Sequence, residues 1–499
     1  MSQTLSSALT WWSNLTPDSV AINMEGDALT YRAYHDWADR IAVKLLGLGV
    51  QRGDRVAVFA ANSLPYCALI MGIMRAGAMV LPINLRLTPH EIAEILEDTT
   101  PALLVADNER QAKLGDIGIR VVNTAEIAAL REGERQSPSL DIDVDAPVVI
   151  ITTSGSTAKP KGVIFTHRSM TSYAAEFALA EPAITKGAKV LILSPFATSA
   201  GFVQLMHYTT LGCTLYVEPV FDPDRALFLL ETERINAFGG VPVFFERVAA
   251  CARWAQADLS DLRLVTVGGA RVSRALLDTW MKKGPIIRQI YGQTEIGGNG
   301  TIMPAALAAD QPEKCGRGGV FTDLRIVGDD GRAVPPNTPG EILMRGPGMM
   351  KGYWNNPQAT AEAIRDGWLH TGDIGMLDED GLLTFIDRKK DIIISGGMNI
   401  SAAEVERAIS EFEGVEEVVV ISADDRKFGE TPMAVLYANR LISVENLVAH
   451  CNSRLADYKV PRYVVVEDEP LPRLATGKLS KPAVRLKWKD AAASLPRVR

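Results

Sequence analysis

The sequence predicts an α/β protein. A large N-terminal body of two duplicated, layered α/β subdomains and a small β-rich subdomain is followed by a small α+β C-terminal domain. Three observations predict it. Strand-like and helix-like runs alternate in the same order twice within the first half of the 499 residues, which implies parallel sheets in a duplicated body. After about residue 305 the runs become short and are separated by Asp-Gly turns, the pattern of hairpins. Beyond Asp387 comes a helix–strand–strand–helix–strand order with its own apolar positions.

The first repeat opens on Gly53-Asp-Arg-Val-Ala-Val-Phe59, passes through a helix-like stretch from Tyr66 to Arg75, and continues into Gly77-Ala-Met-Val-Leu-Pro82. A helix pattern from Glu91 to Leu96 and the apolar run Ala102 to Val105 complete it. Val148 to Ile151 then reads as a buried strand. The second repeat runs from Gly187–Leu193 through Gly212–Val217 and helix-like Arg225 to Glu231, ending at Ile235–Phe238. No residue between Lys189 and Glu218 is charged, yet Pro195, Gln204 and His207 interrupt the stretch. A buried strand–helix–strand unit is therefore expected there, not a membrane span.

In the β-rich part, the runs Leu324–Val327, Glu341–Met344 and Leu382–Ile386 accompany the turns Asp329-Asp-Gly331 and Asp378-Glu-Asp-Gly381. The last module is expected as helix Ala403–Phe412, strands Val415–Ile421 and Met433–Leu436, helix Val444–Leu455 and strand Tyr463–Glu467. The body then covers residues 1–386, with the β-rich subdomain at about 305–386; a charged joint covers 387–391 and the C-terminal domain 392–499.

Hydrophobic content of 47% without low-complexity tracts fits a globular chain of several domains. Five scattered cysteines, never spaced Cys-x-x-Cys, argue against a zinc site and for a reducing compartment. Met1-Ser-Gln-Thr-Leu5 lacks a basic, apolar leader, so the cytoplasm is expected. Net charge is −8, but Lys459 to Arg499 carry ten Lys/Arg against four Asp/Glu, a local +6 that leaves −14 elsewhere. An acidic body without an aromatic-interleaved basic face disfavours nucleic acid; the tail is either solvated or faces a small polyanion.

The stretch Ile151-Thr-Thr-Ser-Gly-Ser-Thr-Ala-Lys-Pro-Lys161-Gly162 has the chemistry of a triphosphate cradle. Thr153, Ser154, Ser156 and Thr157 add hydroxyls, Gly155 permits close backbone approach to an anion, and Lys161 adds point charge. It leads into another strand-like run, Val163 to Thr166, and lacks Gly-x-x-x-x-Gly-Lys-Ser/Thr, so it is not a P-loop. Four more clusters follow. They are Tyr291-Gly-Gln-Thr-Glu295; Trp368-Leu-His-Thr-Gly-Asp373; Asp387-Arg-Lys-Lys-Asp391 with Ile392-Ile-Ile-Ser-Gly-Gly-Met-Asn399 and Glu404-Val-Glu406; and Leu471-Pro-Arg-Leu-Ala-Thr-Gly-Lys478. In this order they resemble the adenylate-forming superfamily of acyl-CoA synthetases, peptide-synthetase adenylation domains and beetle luciferases, over nearly the whole chain. Around Asp387–Asp391 and Ser395–Gly397 the chain is most similar to bacterial fatty-acyl and aryl-CoA ligases.

The resemblance implies ATP, Mg2+ and coenzyme A as the molecules handled. By it, the loop Thr153–Lys161 holds the β and γ phosphates, and Glu295, with Thr157, ligates Mg2+, a hard cation that prefers oxygen. Thr294 contacts the α-phosphate. Tyr291 stacks near adenine, with Gly269, Ala270, Gly292 and Gln293 around the nucleotide. Asp373 accepts hydrogen bonds from the ribose and Arg388 donates to it; Lys478 bridges the acid's carboxylate and the α-phosphate. The small C-terminal domain is mobile, with Lys390 as hinge. It exchanges Lys478 for the face of Ser395, Gly396, Gly397 and Asn399, along which the CoA thiol enters.

Some positions depart from the family. Ala158 replaces a usual Gly, Ala197-Thr198 an aromatic–His pair, Met398 a Glu, and Ser401 a frequent Tyr. The candidate acid pocket (Phe196, Thr198, Phe202, Phe238, Gly239, Val241, Val267, Gly268, Gly292, Gly297, Gly298) is apolar or small. It has no Asp for an amino group and no Arg or Lys for a second carboxylate, so a hydrophobic fatty, aryl or alicyclic acid is expected. The expected activity is an acyl-CoA synthetase working through acyl-AMP. The rival readings are an adenylation enzyme loading a carrier protein and a luciferase-like monooxygenase. A homodimer is compatible with this reading.

Overall fold

The structure, a computed structural model, describes residues 4–115, 117–138, 140–153, 160–269, 272–396, 398–474, 477–489 and 494–498. The chain divides into two compact units. The first comprises Met1–Arg325, Leu343–His370 and Gly381–Leu383; the second comprises Ile326–Ile342, Thr371–Asp380 and Thr384–Arg499.

The first unit contains two seven-stranded sheets. One has the order Gly352–Tyr353, Lys161–Thr166, Pro147–Thr153, Met79–Pro82, Arg55–Phe59, Leu103–Ala106, Val121–Asn123. Its strands run parallel from Pro147–Thr153 onward, and Met79–Pro82 and Leu103–Ala106 are buried at every position. Burial on both faces is why these strands read as unbroken apolar runs. The intervening helices start where the sequence offers caps. Ser63 caps Leu64–Arg75, and Thr88 with Glu91 forms a capping box on Pro89–Thr99.

The second sheet has the order Ile287–Gln289, Leu264–Val267, Ala237–Gly240, Lys189–Ile192, Thr214–Val217, Val20–Met24, Asp27–Thr30. All its pairs are parallel except the last. Its outer edge is thus supplied by the N-terminal hairpin, whose Glu25 and Gly26 have φ of +53° and +90°, as a two-residue type I′ turn requires. Phe238, Phe245 and Trp280 pack ring against ring in the core on one face. The uncharged stretch folds as strand, helix Ser199–Thr210 and strand, and no described helix is long and apolar enough to cross a membrane.

The strands Asp323–Val327, Gly340–Arg345, Trp368–Leu377 and Leu383–Arg388 account for the β-rich stretch, and the division between units falls within each of them. In the second unit, strands Val415–Asp425 and Gly429–Ala438 pair antiparallel, Tyr463–Glu467 adds in parallel, and the hairpin Ile392–Ser395 with Met398–Ser401 joins through Ser395 opposite Gly429. Val419 and Ile421 point into one apolar cluster and Val420 into another, so this sheet is covered on both faces.

Candidate active site

In the first unit the ends of the cradle loop are pinned. Pro147–Thr153 and Lys161–Thr166 pair antiparallel with Thr153 opposite Lys161, and the Thr153 hydroxyl donates to the Lys161 carbonyl at 3.4 Å. Ser154, Gly155, Ser156 and Thr157 lie outside the described residues, as do Ala270 and Gly397.

The Tyr291–Glu295 cluster sits in a loop closed on itself. Tyr291 N–H donates to the Thr301 hydroxyl at 2.7 Å, and its carbonyl accepts from Gly300 and Thr301 N–H. Gly292 lies under Gly298; a Cβ on Gly292 would stand 1.8 Å from the Gly298 carbonyl oxygen. Gly292→Ala is expected to destabilise the unit by about 1–3 kcal/mol, the range for forced overpacking, read as a lower midpoint in chemical denaturation. The Gln293 carbonyl accepts from Ile296 and Gly298 N–H, making a tight turn that ends on Gly297 at φ +88°. This turn presents Thr294 and Glu295. Thr294 donates to the Ser199 hydroxyl at 3.1 Å, and Glu295 Oε1 accepts from the Tyr353 hydroxyl at 2.8 Å.

Glu295 Oε2 takes no hydrogen bond from the described residues, and these contain no group of three His, Cys, Asp or Glu able to hold a metal by themselves. A divalent ion here would rest on one carboxylate with hydroxyl and phosphate oxygens, a donor set that suits Mg2+. Burial, and next the Glu295 carboxylate, push the Tyr353 phenol far above its ordinary range, so it remains a donor.

The acid-pocket candidates fall into two groups. Phe196, Phe202 and Phe238 are fully buried packing residues, with Phe196 edge-on to Tyr66. Thr198 caps its helix, accepting from Gly201 N–H and donating to the Pro195 carbonyl, and Asn62 ties down the same loop through Ser194 O and Phe196 N. Gly239, Gly268 and Gly292 instead lie where backbone and side chains approach closely, and none of the candidates is among the described residues that line the nearby cavity of about 30 Å3, which include Tyr173, Thr266, Ile290 and Gly300. A Cβ on Gly239 would meet Thr266 Oγ1 at 2.7 Å, and one on Gly268 would meet Ile290 at 3.2 Å. That volume holds roughly two waters. Val241 is half-buried at the start of helix Pro242–Ala249, and Gly269, with φ +80°, lies two residues past strand Leu264–Val267.

The second unit assembles the other half of the predicted residues. Asp373 lies in strand Trp368–Leu377, and its carboxylate is 3.9 Å from Arg388 Nε. Lys478 follows Gly477 (φ +87°) at the foot of a narrow loop closed by the Arg473–Leu479 bridge and by Leu474 N–H on the Lys478 carbonyl at 2.8 Å. The residue is exposed, yet desolvation first and Arg388 second push its ammonium below the usual lysine range, with Asp373 opposing. Lys390 sits in the short turn Lys389–Asp391 and is likewise lowered, chiefly by desolvation. The flanking carboxylates are anchored. Asp387 accepts from Ser401 Oγ and Ala403 N–H, and Asp391 pairs with Arg485 at 2.6 Å. Gly396, at φ +58°, makes the hairpin turn against Phe428, next to buried Ser395 and exposed Asn399.

Tyr353, Ser199 and Asn62 are absent from the sequence expectations. The only local signal for Tyr353 is the Gly-Tyr-Trp run before a turn, and nothing in it points to Glu295, 58 positions away.

The fold is that of adenylate-forming CoA synthetases. A model of the AMP-binding enzyme family matches residues 9–354, and one of the AMP-binding enzyme C-terminal domain matches 404–478; the chain belongs to this family. It is 35% identical over 477 residues to a feruloyl-CoA synthase of Amycolatopsis sp, covering 95% of this chain and 97% of that protein. It is 34% identical over 480 residues to a long-chain-fatty-acid–CoA ligase of Mycobacterium tuberculosis, covering 94% of each. Among solved structures, o-succinylbenzoate CoA synthetase from Bacillus subtilis in complex with its acyl-adenylate intermediate matches with TM-score 0.88 at 28% identity, over 95% of this chain and 96% of that one. The same synthetase in complex with ATP and magnesium ion matches with TM-score 0.86 at 28% identity, over 95% and 98%.

Proposed function

We propose that this protein is an ATP-dependent acyl-CoA synthetase for a hydrophobic carboxylic acid, fatty, aryl or alicyclic. The observation that carries it is the end-to-end similarity to acid–CoA ligases in a chain that also keeps Lys478 beside Asp373 and Arg388. In the first half-reaction an acid oxygen bonds to the α-phosphorus and the bond to pyrophosphate breaks, giving acyl-AMP. In the second the CoA thiol, losing its proton, bonds to the acyl carbon and AMP leaves.

The residues take the following roles. Thr153, the loop beyond it and Lys161 hold the β and γ phosphates, and Thr294 the α-phosphate. Tyr291 and Gly269 flank adenine, while Asp373 and Arg388 hold the ribose. Lys478 neutralises charge that builds between carboxylate and phosphate. Glu295, with Thr157, would hold Mg2+, which when bound supplies charge neutralisation on the phosphate oxygens. Residues 387–391 form the joint between a body and a C-terminal domain. The glycines at 396 and 397 let CoA's narrow arm approach the backbone. The apolar or small residues Phe196, Phe202, Phe238, Gly239, Gly268, Gly292 and Gly297 favour an uncharged acid body.

A pyrophosphate-release screen over fatty, aryl and alicyclic acids, with and without CoA, tests the reading. Acid-dependent release with AMP and thioester appearing only when CoA is present is expected; no release with any acid overturns it. A homodimer in the cytoplasm belongs to the same reading, checked by light scattering and cell fractionation.

A further inference from the structure

Glu295 has three side-chain torsions and lies in a turn of three residues, so the turn alone cannot aim its carboxylate. The aiming comes from the segment Met350–Trp354. Met350 N–H donates to the Glu295 carbonyl at 2.8 Å, which fixes the backbone. Lys351 N–H donates to Ile164 O at 2.8 Å and Trp354 N–H to Gly162 O at 2.7 Å, which lays the segment along the strand leaving the phosphate loop. Tyr353 N–H is held by the Thr360 hydroxyl at 2.9 Å. From this fixed backbone the Tyr353 side chain makes two contacts. Its hydroxyl donates to Glu295 Oε1 at 2.8 Å, and its ring lies 4.9 Å beneath the Lys161 ammonium.

Tyr353 therefore touches both the cation that faces phosphate and the carboxylate that would face metal. Engaging Oε1 leaves Oε2 for a ligand, and ordering the carboxylate beforehand removes rotamer entropy that ion binding would otherwise have to overcome. Hydrogen-bonded partners of metal-ligating carboxylates matter to affinity in this way. The ring stabilises Lys161 through its quadrupole without supplying an anion that would compete with phosphate.

Resting on the reading of Glu295 as the magnesium carboxylate, we propose that Tyr353 is a positioning residue. Its hydroxyl orients Glu295 toward Mg2+, and its ring sets the spacing between that carboxylate and Lys161 of the phosphate loop. The residue contacts neither the acid nor the reacting phosphorus in this assignment.

Tyr353→Phe removes the hydroxyl and keeps the ring, so it separates the two contacts; Tyr353→Leu removes both. Binding of ATP is followed by calorimetry, first in EDTA and then across a Mg2+ titration, without acid so that no turnover occurs. For Tyr353→Phe the expected result is unchanged affinity in EDTA and a Mg2+ half-saturation raised at least about tenfold. Tyr353→Leu is expected to show the same rise and weaker ATP binding in EDTA. Coincident Mg2+ curves for the unaltered and Phe proteins overturn the proposal, as does equal weakening with and without Mg2+. If the unaltered protein binds ATP with no Mg2+ dependence at all, the reading of Glu295 falls together with the proposal. Coincident curves that are both Mg2+-dependent remove the role of Tyr353 alone.

Discussion

Lys478→Ala lowers acyl-adenylate formation by at least ~10²-fold, the scale of losing one donor to developing transition-state charge, while thioester formation from supplied acyl-AMP is spared. Gly477 at φ +87° and the Arg473–Leu479 bridge fix where the lysine leaves the backbone, and the charges of Arg388 and Asp373 act on its ammonium. Alanine removes the charge without disturbing that loop, so the loss is electrostatic. Pyrophosphate exchange reads the first half-reaction and AMP release from acyl-AMP plus CoA the second. Equal losses in both would refute the division of labour. The pH profile gives a second check. The ammonium is the active form, and desolvation with Arg388 lowers its affinity for the proton. The alkaline limb of adenylation should therefore fall at a pH below that of an ordinary lysine, and Lys478→Arg should move that limb upward.

Lys390→Pro acts on the opposite half-reaction. The turn Lys389–Asp391 is short, and the chain is anchored on both sides, by Asp387 to Ser401 and the start of helix Ala402–Ser410 and by Asp391 to Arg485. Both anchors belong to the C-terminal domain, so a swing about residue 390 uses the dihedrals of this turn and releases Asp387 from Ser401 and Ala403. Proline fixes φ at its own position and restricts the residue before it. Adenylation should persist, whereas CoA transfer should drop on the order of 100-fold, the cost of groups that no longer reach reacting geometry. Stopped-flow measurement of both half-reactions decides it; unaltered CoA transfer rejects Lys390 as the hinge.

The two repeats were readable because burial of both sheet faces writes itself locally: Val56–Phe59, Met79–Pro82 and Leu103–Ala106 have no polar alternation to confuse with a helix. The helices expected from Tyr66 and Glu91 begin two residues earlier, at Leu64 and Pro89, because Ser63 and Thr88 cap them there. What the sequence hides is long-range partnership. Trp368–Leu377 is one ten-residue strand although His370, Thr371, Gly372 and Asp373 break its apolar pattern, because neighbouring strands rather than propensity hold it. The Ile392–Ser401 segment reads as a glycine-lined face, and only the pairing of Ile393 with Ile400 makes it a hairpin. Within the site, motif chemistry pointed to Thr294, Glu295, Asp373 and Lys478. The tyrosine that meets Glu295 left no mark, since a hydrogen bond across 58 positions has no local periodicity.

The placement of the first strands bears on how the chain assembles. Ile22 finds its parallel neighbour in Leu215, 193 positions later, so the hairpin around Gly26 emerges from the ribosome long before its docking edge exists. Its I′ turn lets it form early, but a lone hairpin is marginal in water. Until Thr214–Val217 has been synthesised, this hairpin is an unshielded ribbon on the nascent chain. Closing so long a loop makes this edge a late, slow event, and the interval is when a holding chaperone has most to do.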